Sequence, residues 1–431
     1  MKGYKMSMRT YSMAYGRSEK SFSYEEDDIV KIIKTQPMAG LSDPQSAIGE
    51  ALEHPIAAPA LKELARPGQK VAIICNDPTR LANTHEMMPA IVDTLNRGGI
   101  PDRDIRVIFA LGTHRTMSEA EIEKTIGTDY ARRLTCLMSV STQTEDFRYI
   151  GTTSRKTPVW IRKALCEADL IIMTGSVVHH YFSGYGGGRK AILPGCAAME
   201  TIRMNHSHML EEGAALGVTE GNPCYEDQME GVALFAKNHT LFLINSVLNA
   251  AHETVAVFAG DYRKAHRAAC RLVDTIYGAE IEVEADLVIA SCGGYPKDIN
   301  VYQMQKTMDN AVCAVRKGGA VILLAECAEG SGSAKLEETF KRLKTAEAIR
   351  KELAENFQIG ANKAYAITHP LAKAPFILVT NLNRELAESM HFTAAVDTVE
   401  EAIALAKKRL GEHPKTVLMP EGSLTVPRIR R

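Results

Sequence analysis

The residues best suited to chemistry crowd into Val177–Gly195, read VVHHYFSGYGGGRKAILPG. Two adjacent histidines, His179 and His180, precede a glycine run (Gly184, Gly186, Gly187, Gly188) and the pair Arg189-Lys190. His206 follows in Asn205-His206-Ser207-His208. An imidazole titrates near pH 6.5, so it suits proton transfer at neutral pH or ligation of a metal. A glycine run admits positive φ and lets a ligand approach the backbone closely. A lysine beside it can serve as a phosphate-binding charge, a Schiff-base amine or a covalent attachment point. An ordinary glycine-rich surface loop with a solvated Arg-Lys pair has the same composition.

Polar residues of the same kind recur elsewhere. Asp77-Pro78-Thr79-Arg80 and Gly112-Thr113-His114-Arg115 each follow an apolar run. Arg80 can clamp a carboxylate in bidentate fashion or form a surface ion pair. Tyr302 and Lys306 are four apart and so share a helix face near its N-terminus, where anions are favoured. With Gln303 between them they also make a plain solvated face. His206 and His208, two apart, do not share a helix face, and no HxxxH or HExxH spacing occurs. A metal bound here would take most of its ligands from something other than this chain. GYGGGRKA is not a Walker A loop, because Ala191 stands where the magnesium-binding hydroxyl belongs.

These residues need elements to hold them. Apolar runs at Lys70–Cys75, Ile105–Ala110, Arg133–Met138 and Leu170–Met173 read as strands separated by helices, one over Glu86–Asn96. Ser118 and Glu121 form a capping-box pair opening another helix. Three strands of one sheet would then end in Asp77/Thr79/Arg80, His114/Arg115 and His179/His180. In open α/β sheets ligands bind at the carboxyl ends of strands. Residues 1–35 read as a hairpin and a short helix over Glu25–Lys34, and Cys196–Leu210 as a helix carrying His206. Strands Thr240–Asn245 and Thr254–Phe258 and helix Asp261–Ile276 follow. Near residue 280 the pattern restarts, with strands at Asp286–Ser291, Ala320–Ala325 and Pro375–Thr380. The expected organisation is α/β in two domains, 1–280 and 281–411. The tail 412–431, strand-like at Thr416–Met419, is expected to return to the first domain.

Bulk composition narrows the function classes. The 431 residues are 45% hydrophobic and 24% charged with net charge −1, so no basic field invites nucleic acid. No run of 18 apolar residues and no apolar core of a leader occur, so neither membrane insertion nor secretion is expected. Nine scattered cysteines make no CxxC pair and read as reduced thiols of a cytoplasmic protein.

Taken together the motifs resemble the nickel-pincer, lactate racemase-like family of 2-hydroxy acid racemases and epimerases. The resemblance rests on Asp77-Pro-Thr-Arg80, Gly112-Thr-His-Arg115, His180 with Gly184–Lys190 and Leu193-Pro-Gly195, Asn205-His206, and Tyr302-Gln303-x-Gln305-Lys306. It runs from about Lys70 to Pro420–Pro427 (PEGSLTVP). It implies two α/β domains with the active site in the cleft between them. It implies nickel and a pyridinium-3-thioamide-5-thiocarboxylic acid mononucleotide covalently attached to Lys190, beside Gly186, Gly187 and Gly188. His206 would be the metal ligand and His114 and His180 the catalytic pair. Asp77, Arg80, Tyr302, Gln303 and Lys306 would bind substrate. C2 of the 2-hydroxy acid would be inverted by reversible hydride transfer to the tethered nucleotide, and maturation enzymes would be needed to build it. Glu355–Pro370, expected at the substrate pocket, lacks the tryptophan that the lactate enzyme presents there. The only tryptophan, Trp160, lies elsewhere. A substrate larger or more polar than lactate follows from that departure.

Two other readings compete. A binding protein of the same fold needs no pair of proton-transfer histidines. A phosphate-ester enzyme using Gly184–Lys190 as an anion cradle lacks the Ser/Thr after Lys190. The sequence leaves the oligomeric state open.

Overall fold

The computed structural model describes residues 7–358 and 361–430. It divides into two compact units, Pro37–Val273 and a second made of Met1–Gln36 with Asp274–Arg431.

The Pro37–Val273 unit is built on a six-stranded sheet. Val71–Asn76 lies inside it, with Ile105–Ala110 and then Thr135–Met138 to one side. Leu170–Ser176, Thr240–Leu248 and Thr254–Gly260 lie to the other. All neighbours are parallel except the last pair, which is antiparallel. Val71–Cys75 is an unbroken apolar run with every residue buried, as a strand covered on both faces must be. Helix Pro44–Glu53 lays Ile48 and Leu52, and helix Thr84–Arg97 lays Met87, Met88, Ile91, Val92 and Leu95, into the core formed with Ile73, Cys75, Val107 and Phe109. Asp43 caps the first helix by accepting from Ser46 N–H at 3.1 Å, with Pro44 at its first position. The expected Ser118–Glu121 capping box is present at helix Glu119–Ile126. Successive strands leave Val71–Asn76 in opposite directions, so the strand order reverses beside it. Loops diverge from such a reversal and leave room for a ligand.

The second unit carries a parallel six-stranded sheet in the order Ala394–Val396, Phe376–Val379, Val315–Leu324, Ala285–Ser291, Thr416–Met419, Ile29–Ile32. The division therefore differs from the expected boundary at 280. The tail strand Thr416–Met419 lies between Ala285–Ser291 and Ile29–Ile32, and does not return to the unit that holds Val71–Asn76. The chain's first 36 residues also belong here, and the reason is apolar burial. The hairpin Met8–Tyr15/Ser18–Glu25 packs Met13, Tyr15, Phe22 and Tyr24 against Leu287, Ile289, Ile322 and Leu418. Tyr24 and Thr416 share a hydroxyl hydrogen bond of 2.8 Å, and Lys407 donates to Glu25 at 2.9 Å. Glu25–Lys34, expected to be helical, is a 3-10 turn at Glu26–Asp28 followed by strand Ile29–Ile32. Pairing with Thr416–Met419 overrides local propensity there. Among the described residues no helix is long and apolar enough to cross a membrane.

Candidate active site

Three neighbouring strands of the Pro37–Val273 unit deliver the expected residues at their carboxyl ends. Asp77 follows Val71–Asn76 and is buried. Its Oδ1 accepts from Thr79 N–H at 2.9 Å and from the Thr79 hydroxyl at 2.6 Å. Its Oδ2 lies 2.9 Å from Nδ1 of His114, which follows Ile105–Ala110. Burial alone would raise the Asp77 pKa, but the hydrogen bonds from His114 and Thr79 outweigh it and hold the carboxyl below its usual value. An ionised Asp77 only accepts, so the proton sits on Nδ1 of His114 and leaves Nε2 with a free lone pair. The structure thus pairs the buried Asp77 carboxylate with His114.

His180 occupies the opposite electrostatic setting. It follows Leu170–Ser176 in a short antiparallel pair, His179–His180 against Gly184–Tyr185. Its Nδ1 accepts from Ser183 N–H at 3.3 Å, which leaves the neutral ring with its proton on Nε2. Burial, then the charges of Lys190, Arg80, His206 and Arg189, push its pKa well below 6.5. Phe182 is the hub of this half of the site. Its ring lies 4.7 Å from that of His180 and 5.0 Å from that of His206, both edge-on, with the Lys190 ammonium nitrogen 5.8 Å from its centre. The structure thus gathers His180, Lys190 and His206 around one buried aromatic. The Lys190 amine is driven well below its usual pKa by burial, then by Arg189 and Arg80. His206 is pushed down to about 3 by burial and then by Lys190. Its Nδ1 is buried without a hydrogen-bond partner. A neutral imidazole with an uncommitted, buried nitrogen suits a metal ligand. Among the described residues no three His, Cys, Asp or Glu side chains converge into a complete metal site.

The glycine run earns its composition by internal packing. A Cβ on Gly187 (φ 69°) would sit 2.7 Å from Asn245 Oδ1, and one on Gly188 (φ 55°) 2.6 Å from the ring of His266. Gly186 N–H is bonded to Val178 O and Gly188 N–H to Asn245 Oδ1, while Gly186 O accepts from His266. These contacts and hydrogen bonds shape the loop. Arg189 is wholly buried, with its guanidinium 4.0 Å from the ring of Tyr225. It donates to Ser183 O, Ser183 Oγ and Tyr185 O at 2.6, 2.8 and 3.2 Å, and burial pushes its pKa down to about 10.

Known proteins carry the same pattern along nearly the whole chain. Residues 15–217 match the lactate racemase N-terminal domain and residues 281–426 the lactate racemase C-terminal domain. A lactate racemase from Lactiplantibacillus plantarum is 31% identical over 388 residues, 88% of this chain and 89% of that protein. The chain belongs to the lactate racemase family. A second lactate racemase, from Thermoanaerobacterium thermosaccharolyticum, is 29% identical over 425 residues, 96% of this chain and 98% of its own. The apoprotein structure of the lactate racemase from that organism superposes with a TM-score of 0.87, covering 97% of this chain and all of that one. As a family member the chain is an enzyme of the isomerase class.

In this lactate racemase relative, Tyr302, Gln303 and Lys306 lie in the other unit, on the first turns of helix Val301–Ala311. Asn300 caps that helix by accepting from Gln303 N–H at 3.0 Å, and Lys306 donates to Gln303 Oε1 at 3.0 Å. Lys363, in helix Asn362–Leu371, places its ammonium 4.5 Å from the Tyr302 ring centre and donates to Gln305 at 2.5 Å. That helix is part of the segment expected at the substrate pocket, whose Ile359 and Gly360 lie outside the described residues. Trp160 is in the Pro37–Val273 unit, its ring 5.3 Å from that of Tyr149. Sequence reasoning passed over Phe182, His266 and the whole helix Pro223–Ala236. The Asn222-Pro223 start, with Asn222 accepting from Tyr225 N–H at 3.0 Å, is the signal that marks this helix.

Proposed function

We propose that this chain inverts C2 of a 2-hydroxy acid by reversible hydride transfer, using a nickel-pincer nucleotide attached to Lys190. The observation that carries the reading is the pair of unlike histidines that follow the two strands flanking Val71–Asn76, one backed by a carboxylate and one buried among cations. Inversion by hydride transfer needs a group to take or return the hydroxyl proton of either enantiomer, and two differently placed imidazoles meet that need.

Lys190 and His206 would hold the nucleotide. An unprotonated amine is the nucleophilic form, and burial, then Arg189 and Arg80, shift Lys190 toward it. His206 would bind nickel through a ring nitrogen, the remaining donors coming from the nucleotide. When bound, the nucleotide would supply the site that takes the C2 hydrogen with its electron pair and returns it. The protein would move the other proton. His114 Nε2 would accept the hydroxyl proton of one enantiomer, with Asp77 stabilising the imidazolium. The planar 2-keto acid would turn, and His180 would serve the oxygen on the other face. Returning a proton requires His180 to gain one, which its cationic surroundings resist. The anionic substrate beside Arg80 would offset part of that field. Tyr302, Gln303 and Lys306 would contribute contacts to the substrate carboxylate and C2 oxygen. Lactate or a larger, more polar 2-hydroxy acid is the substrate class. A cytoplasmic location, with nine cysteines that form no disulfide kept reduced, and dedicated cofactor-building enzymes complete the reading.

Intact mass and nickel content of one sample, purified from a host that makes the cofactor, test this directly. An added mass on Lys190, about one nickel per chain, and racemisation of a 2-hydroxy acid are expected, and Lys190→Ala should lose all three. No adduct and no nickel on the unaltered protein from that host would overturn the reading.

A further inference from the structure

Behind the Phe182 half of the site runs a hydrogen-bonded chain of five wholly buried side chains. Arg189 donates to Ser183 Oγ at 2.8 Å. Ser183 donates to Gln228 Oε1 at 2.9 Å, and Gln228 Nε2 to Asn205 Oδ1 at 2.8 Å. Asn205 Nδ2 donates to Asp227 Oδ2 at 2.8 Å. Every donor points the same way, from a guanidinium at one end to a carboxylate at the other. Such an aligned chain polarises its members and lets two buried charges offset each other across three neutral residues. Thr153 and Thr157 complete the carboxylate end, donating to Asp227 at 2.5 and 2.9 Å.

Three of these links touch or adjoin a functional residue. Arg189 adjoins Lys190. Ser183 N–H bonds His180 Nδ1. Asn205 adjoins His206 on helix Met199–Ser207. Among the described hydrogen bonds, those of Gln228 join the loop that carries His180 and Lys190 to the helix that carries His206, and Gln228 sits on helix Pro223–Ala236, which contributes none of the three. We propose that Gln228 is a positioning residue that fixes the distance between the tethering lysine and the metal-ligating histidine through Ser183 and Asn205. It is an amide because the link must accept on one side and donate on the other, which among uncharged side chains of that length only glutamine does.

This inference rests on the nickel-pincer reading, and its test separates the two. Gln228→Met keeps length and bulk and removes both hydrogen bonds. Thr153→Val removes two hydrogen bonds at the far end of the same chain, the one donated to Asp227 and the one accepted from Thr157 N–H, and serves as the control for lost stability. In holoenzyme from a cofactor-making host, Gln228→Met should keep the mass adduct on Lys190 yet lose at least half its nickel per adduct. Its kcat should fall tenfold or more with KM within about threefold. Thr153→Val should lower Tm with the nickel-to-adduct ratio and kcat unchanged. Ser183→Ala, which cuts the chain one link earlier, should lower nickel per adduct in the same way, with no further loss when combined with Gln228→Met, and it decides the matter if Gln228→Met does not fold. Wild-type nickel-to-adduct ratios in Gln228→Met, or in Ser183→Ala, would overturn the inference alone. Absence of adduct and nickel from the unaltered protein would overturn the cofactor reading and this inference with it.

Discussion

The Asp77–His114 corner and the Phe182 pocket solve opposite electrostatic problems a few strands apart. In the corner a buried carboxylate is kept charged by its partners, His114 and Thr79. In the pocket the charges are positive, and burial drives His180, His206 and Lys190 toward their neutral forms. The contrast teaches that two identical side chains at equivalent strand ends take unlike parts through what stands behind them. A carboxylate partner favours the charged imidazole, whereas burial beside a guanidinium and an aromatic ring favours neutral imidazoles and a neutral amine.

Asp77→Asn should disrupt that contrast most. It leaves His114 in place without the acceptor that fixes its Nδ1 proton, and kcat should fall roughly a hundred- to ten-thousand-fold. On the proposed nickel-pincer reading, nickel content and the Lys190 adduct should be unchanged. A matching loss of nickel would show that corner and pocket are not independent.

Acid should find the pocket before the corner. His266, buried behind Gly188, is pushed down to about 3 by burial and then by Arg189. Between its ordinary pKa of about 6.5 and that value the unfolded chain binds a proton that the folded one does not. Apoprotein stability is therefore full above pH 6.5 and declines as the pH falls, by about 2 kcal/mol at pH 5 from this one ring. Asp77 works in the other window. Its pKa is lowered on folding, so its contribution persists above about pH 3.9 and is lost only below that. Thermal melts of the apoprotein from pH 7 to 5, with His266→Gln as the comparison, should show a slope that the substitution flattens. The smallest effect is expected from Thr79→Val. It deletes one hydrogen bond to Asp77, worth about 1 kcal/mol, and should slow kcat about fivefold with no change in the pH dependence of the melts.

The strands that end in Asp77, His114 and His180 were legible because each is an unbroken apolar run followed by polar residues. Their adjacency in one sheet followed from the α/β rhythm. Less legible was what turns those residues into a site. Phe182 reads as one aromatic among three, and only packing makes it a hub. Helix Pro223–Ala236 buries Asp227 and Gln228 along with Cys224, Val232 and Phe235, so its pattern lacks the polar face that marks a surface helix. Glu25–Lys34 has the charged composition of a helix and becomes a strand because an edge of a distant sheet is there to pair with it. Partition of the chain into units was hidden for the same reason, since it is decided by pairings hundreds of residues apart.

That last pairing bears on how the protein is made. Ile29–Ile32 forms the sheet edge beside Thr416–Met419, and its hairpin lies on strands that include Ala285–Ser291. On a ribosome moving at roughly 5–20 residues per second, the opening segment is exposed for on the order of half a minute before the strand it needs is synthesised. Pro37–Val273, which draws on no residue outside its own span for its sheet, can fold during that wait. The amino-terminal hairpin, with its apolar face of Met13, Tyr15, Phe22 and Tyr24 uncovered, is then the part of the nascent chain that a holding chaperone would grip.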